Sequence, residues 1–115
     1  MLAKGFSSEA EKEFREALEL DPGSAAAHLG MAGVLEGGAN LAAARSEVEA
    51  ALRIQPSGEA HALLGQIALR ENNQDAAAAE YDQATKLDPT NPSVLGLQRA
   101  LAARVAERVN SLSKP

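Results

Sequence analysis

No cysteine and no tryptophan occur among the 115 residues of this chain, and its aromatics are limited to Phe6, Phe14 and Tyr81. The lack of cysteine excludes a disulfide framework and any thiolate-held zinc site, and it fits a reducing, cytoplasmic compartment. Positive charge is also short: eleven Lys and Arg stand against sixteen Asp and Glu, a net −5. A phosphate backbone would meet net repulsion, which speaks against nucleic acid as a partner. No apolar run approaches the roughly 20 residues of a membrane span, which speaks against a membrane. The opening "MLAKGFSSEAEKEF" lacks the apolar central region of a signal peptide. β-branched residues are sparse and never alternate over strand length, so no sheet is expected.

What is abundant is alanine, 25 of the 115 residues. Alanine is the strongest helix former, and its small side chain lets helices approach closely. The stretches "ALELDP" (17–22), "ALRIQP" (51–56) and "ATKLDP" (84–89) repeat one phrase. The segments before them align as well. Ala10, Phe14, Ala17 and Pro22 match Ala44, Val48, Ala51 and Pro56, then Ala77, Tyr81, Ala84 and Pro89. Small, large and small residues on this spacing trace one helix face, and the proline stops each helix. Phe14 and Tyr81 are therefore expected in the core.

A second helix aligns upstream of the last two sets. "HLGMAGVL" (28–35) pairs with "HALLGQIA" (61–68), and the breaks "EGGAN" (36–40) and "ENNQD" (71–75) follow each. Asn40 and Asn73 stand where helix caps belong. Serines such as Ser7, Ser8, Ser24, Ser57 and Ser93 are expected in caps and turns. Helix, short turn, helix, proline turn, with a period near 34, is the signature of a stacked helical repeat.

On this spacing, on the small residue at Ala32 and Gly65, and on the alanine–large–alanine–proline face, the chain resembles the tetratricopeptide repeat (TPR) family from about Gly5 to Arg104. It departs from the family where a large aromatic is usual and His28 and His61 stand instead. The resemblance implies an all-α, right-handed α-solenoid of antiparallel helix pairs. The whole of 1–115 reads as a single domain. Residues 5–22 form the second helix of an incomplete repeat, 25–57 and 58–89 are repeats, 92–112 is a long C-terminal capping helix and 113–115 a tail. The missing first helix suggests an excised segment or an unusual terminal repeat. Six helices are expected, at roughly 8–20, 25–37, 41–54, 58–71, 74–87 and 92–112. The last starts strongly, with Asn91 as cap and Pro92 in the first turn, and carries Arg99 where the repeat has a small residue.

Candidates for chemistry are few. His28 and His61 share a repeat position on neighbouring helices, about 9–10 Å apart at the backbone. A metal needs at least a third ligand, and no cysteine or aligned carboxylate is evident, so each histidine is expected to pack in place of the family's aromatic. No nucleophile elbow or phosphate loop occurs. An enzyme is not expected, and neither a cofactor nor a metal is implied.

In the family, the first helices of successive repeats line a concave groove that binds peptides. Carried over, the groove presents Ala26, Leu29, Gly30 and Gly33, then Glu59, Ala62, Leu63, Gln66 and Arg70, then Ser93, Leu97, Ala100 and Arg104. The lysines and asparagines with which some relatives clamp a C-terminal carboxylate are replaced here by leucine, alanine and glycine. Gly30 and Gly33 each cost about 1 kcal/mol within a helix, so either something packs close to them or the neighbours carry the loss. Arg70 and Arg104 share a position from which they could anchor an acidic group or favour the negative helix ends. The sequence thus points to a noncatalytic scaffold whose partner is a protein or peptide. A second reading is homo-oligomerisation, through Val105, Val109 and Leu112 on the overhanging last helix and the open flank of the first.

Overall fold

Six helices follow one another in the computed structural model, which describes residues 2–113 and the side chains of 8–112. They are α1 (Leu2–Leu20), α2 (Ala25–Gly37), α3 (Leu41–Ile54), α4 (Gly58–Arg70), α5 (Gln74–Leu87) and α6 (Pro92–Ser113). No strand occurs among the described residues, and no helix is long and apolar enough to cross a membrane. The side chains of Phe6 and Ser7 lie outside those described, as do residues 114–115 of the expected tail.

Local chemistry sets the helix ends. The side chains of Ser24, Asn40, Ser57 and Asn73 accept hydrogen bonds from the backbone N–H of Ala27, Ala43, Ala60 and Ala76, at 3.1 to 3.4 Å. Asn91 does the same for α6, its Oδ1 accepting from the Ser93 N–H at 2.8 Å. The turns after α2 and α4 pass through left-handed residues, Ala39 (φ 65°) and Asn72 (φ 60°), one repeat apart. One expectation fails: α1 starts at Leu2, so Ser7 and Ser8 lie inside a helix and not in a cap. The propensity cost of Gly5 and the serine pair is small beside the gain of continuing the helix.

Helices α2–α3 and α4–α5 form the two antiparallel pairs. α2 packs on α4 and α4 on α6, whereas α1, α3 and α5 make no contact with one another among the described residues. The stack therefore curves with α2, α4 and α6 on the inside and α1, α3 and α5 splayed outside. It measures 57 × 37 × 22 Å with a radius of gyration of 15.4 Å, against about 13 Å for a compact domain of this length. This is an all-α helical-repeat solenoid.

Two apolar clusters hold it. Leu29 and Ala32 of α2, Ala44, Val48 and Ala51 of α3, and Ala60 and Ile67 of α4 form the first. The second joins Ala62, Ala68 and Leu69 of α4, Ala77 and Ala84 of α5, and Val94 and Leu97 of α6. Helix α4 belongs to both. Outer helices α3 and α5 drop small residues onto their neighbours, so that Ala44, Ala51, Ala77 and Ala84 are wholly buried. Phe14 and Tyr81, expected inside, are only half-buried, Tyr81 at the edge of the second cluster.

Candidate partner-binding face

Helices α2, α4 and α6 together form an inner face. A shallow depression of about 290 Å³ crosses it, lined by Glu36, Gln66, Leu69, Arg70, Ala100 and Arg104. Four of these six, Gln66, Arg70, Ala100 and Arg104, are residues the sequence places on the groove. Glu36 and Leu69 are additions, carried to the same spot by the last turns of α2 and α4.

Each of the other groove residues has a definite place. Ala26, Gly33 and Glu59 are exposed, while Gly30, Leu63 and Ser93 are half-buried. Leu29, Ala62 and Leu97 do not belong to an accessible wall: they are buried in the clusters, Ala62 and Leu97 with no exposed surface. Inner helices pack on both flanks, so a residue one position off the groove-facing line is drawn between them. Leu97 fills the hollow above Gly65, where an added Cβ would lie 2.4 Å from its Cδ2.

The two glycines divide. A Cβ at Gly30 would meet the Phe14 ring at 2.2 Å, so the close neighbour there is the protein's own α1. Nothing lies within 4 Å of a Cβ at Gly33, which faces open space.

Arg70 and Arg104 do reach helix ends, but those of the preceding inner helix. Arg70 donates to the Glu36 carbonyl and sits 3.4 Å from its carboxylate. Arg104 donates to the Leu69 carbonyl at 3.1 Å and to Asn72 Oδ1 at 3.2 Å. Each guanidinium thus caps a neighbour's negative end and stitches one repeat to the next, with N–H groups left over toward the depression.

The histidines face their partner helices and add polar contacts there. His28 Nδ1 donates to Glu47 Oε2 at 2.8 Å, and His61 Nδ1 to Glu80 Oε1 at 2.7 Å. His28 Nε2 lies 3.1 Å from the Pro22 carbonyl. Glu47 and Glu80 are aligned carboxylates that the sequence reading overlooked; their separation of 33 equals that of the histidines. They tie each inner helix to its outer partner. Among the described residues no three metal-ligating side chains come together. A further pair, Arg45 with Glu71, links α3 to the end of α4. The hydrogen bond from Arg45 draws the Glu71 carboxyl below its usual range, and the same bond raises Arg45.

Val105, Val109 and Leu112 are 59%, 58% and 79% exposed on the overhanging end of α6.

Two sequence models of the tetratricopeptide repeat match the chain, at residues 2–67 and 58–91. No curated protein matches it. Among solved structures it is similar to the first TPR of Spaghetti (RPAP3), bound to the HSP90 peptide SRMEEVD. There the TM-score is 0.74 and identity 19%, over 90% of this chain and 82% of that one. It is also similar to a thermophilic TPR protein of Thermus thermophilus, with TM-score 0.76 and 23% identity. That match covers 90% of this chain and 52% of the other, so the chain spans about half the length of that protein. At such identities the likeness is one of fold.

Proposed function

The chain belongs to the tetratricopeptide repeat family, and on that footing we propose that it is a noncatalytic scaffold binding a segment of a partner protein along its inner face. The observation that carries this reading is the depression shared by α2, α4 and α6. Its floor is apolar, from Leu69 and Ala100; Gln66 offers both a donor and an acceptor to a peptide backbone; and two guanidiniums stand at its edges. Such a surface takes an extended or helical segment with a small apolar side chain beside polar groups. The relative bound to an HSP90 peptide is one instance of this fold holding a peptide. The residues that replace a carboxylate clamp here favour a partner other than a free C-terminus.

The test is a displayed random-peptide library selected on the immobilised chain. Gln66→Phe, which fills the depression from a half-buried position, should weaken capture of the selected peptides by about tenfold or more with helicity unchanged. Capture that persists at full strength would remove the site. Leu63 is a poor place for this test, because it packs against the first cluster and a charge there would disturb the fold.

A further inference from the structure

The outward side of α6 carries a second, longer surface. Leu95, Gln98, Ala102, Val105, Val109 and Leu112 recur at spacings of three and four, and all are exposed. That is the seam spacing of a helix meant to lie along another helix. In α4 the residues equivalent to Leu95 and Ala102 are His61, bonded to Glu80 of α5, and Ala68, which is 3% exposed. The line on α6 is thus the one that an outer helix covers elsewhere in this molecule.

One outer helix has the matching face half open. Ala44, Val48 and Ala51 of α3 have no exposed surface, but Ala10, Phe14 and Ala17 of α1 are only half-buried. We propose that a second copy of this chain docks its α1 against the outward line of α6, so that α6 of one copy and α1 of the next complete a repeat between them. Charge supports the pairing: α1 carries five glutamates against three basic residues, and α6 three arginines against one glutamate. A symmetrical contact of α6 with α6 would set like charges together.

The repeat register supports it further. Glu13 is the equivalent of Glu47 and Glu80, which bind His28 and His61, yet it has no hydrogen-bond or ion-pair partner among the described residues. In the docked arrangement it meets α6 at Leu95, one turn, about 5.4 Å, from the exposed Arg99. Arg99 itself stands where Gly65 receives Leu97 of the following inner helix. The same register sets Arg99 against Gly30 of the second copy. Size is exchanged there: a large residue meets a glycine, with the half-exposed ring of Phe14 beside it as a surface on which a guanidinium can lie.

The interface is head to tail, so each copy keeps one free end and the species grow with concentration. The experiment is sedimentation velocity on the 115-residue chain from low micromolar to submillimolar concentration, with Glu13→Arg and Arg99→Glu alone and mixed. The unaltered chain should associate, and each variant alone should do so roughly tenfold more weakly. Mixed in equal amounts, the two variants restore one native interface, from α6 of the first and α1 of the second, and at the other junction the two reversed charges again oppose each other, so the mixture should associate more strongly than either variant alone. A steady mass of 11.9 kDa at every concentration would overturn the proposal. So would association indifferent to both variants, or association strengthened by Arg99→Glu and unmoved by Glu13→Arg, which marks an α6–α6 contact. Both positions are exposed, and unchanged helicity and melting temperature confirm that each variant folds.

Discussion

A methyl group added at Gly33 would point into open space, whereas one at Gly65 would lie 2.4 Å from a fully buried Leu97. Gly33→Ala should therefore stabilise the chain by about 1 kcal/mol, the helix-propensity difference alone. Gly65→Ala gains the same propensity but overpacks the junction of α4 with α6, typically costing about 1–3 kcal/mol, and should lower the melting temperature. Ala39 holds a left-handed backbone that its repeat counterpart Asn72 adopts more readily. Ala39→Gly should then raise stability by about 1 kcal/mol, since a left-handed conformation costs an L-residue roughly that much. Urea unfolding of the three variants checks their order, and a Gly65→Ala protein as stable as Gly33→Ala would contradict the packing at Leu97. None of these differences is written in the sequence. The glycines look alike along the chain, and what separates them is a side chain reaching in from another helix.

Between elements, polar pairs join α2 to α3, α3 to α4 and α4 to α5 beside the apolar clusters. The Arg45–Glu71 pair joins α3 to the end of α4. Its pH dependence has a definite sign. Glu71 titrates lower folded than unfolded, so the pair contributes above the ordinary carboxylate range and is lost as pH falls through the lowered Glu71 value. Melting temperatures of the native chain and Glu71→Gln should differ near neutral pH and converge in acid; a gap that widens in acid would refute the assignment. The helices themselves were legible beforehand because their signals are local: Ser24, Asn40, Ser57 and Asn73 cap the helices that the alanine period outlines. The pairs were not, since His28 and Glu47 are 19 residues apart and meet only once two helices fold together. Arg70 could be assigned to a helix end from sequence, but not to the end of the helix before it.

For the molecule as a whole, α4 is the shared wall of both clusters. Ile67→Ala, at a site 1% exposed, should cost about 2–5 kcal/mol and lower protection in α2 and α3 as well as α4, read by hydrogen exchange. Among the described residues helix α1 packs on α2 alone, and it should exchange fastest, ahead of α5. Protection of α1 equal to that of α4 in dilute solution would contradict this, and its rise with concentration would report docking onto α6. The splayed outer helices have a mechanical meaning too. Because α1, α3 and α5 make no contact with one another among the described residues, the stack has a compliant back. Bending it changes the outer gaps while breaking few contacts, so the curvature acts as a soft spring. A partner of the proposed kind, if thicker than the resting face, would be admitted by unbending the coil, and its release would let the coil recover.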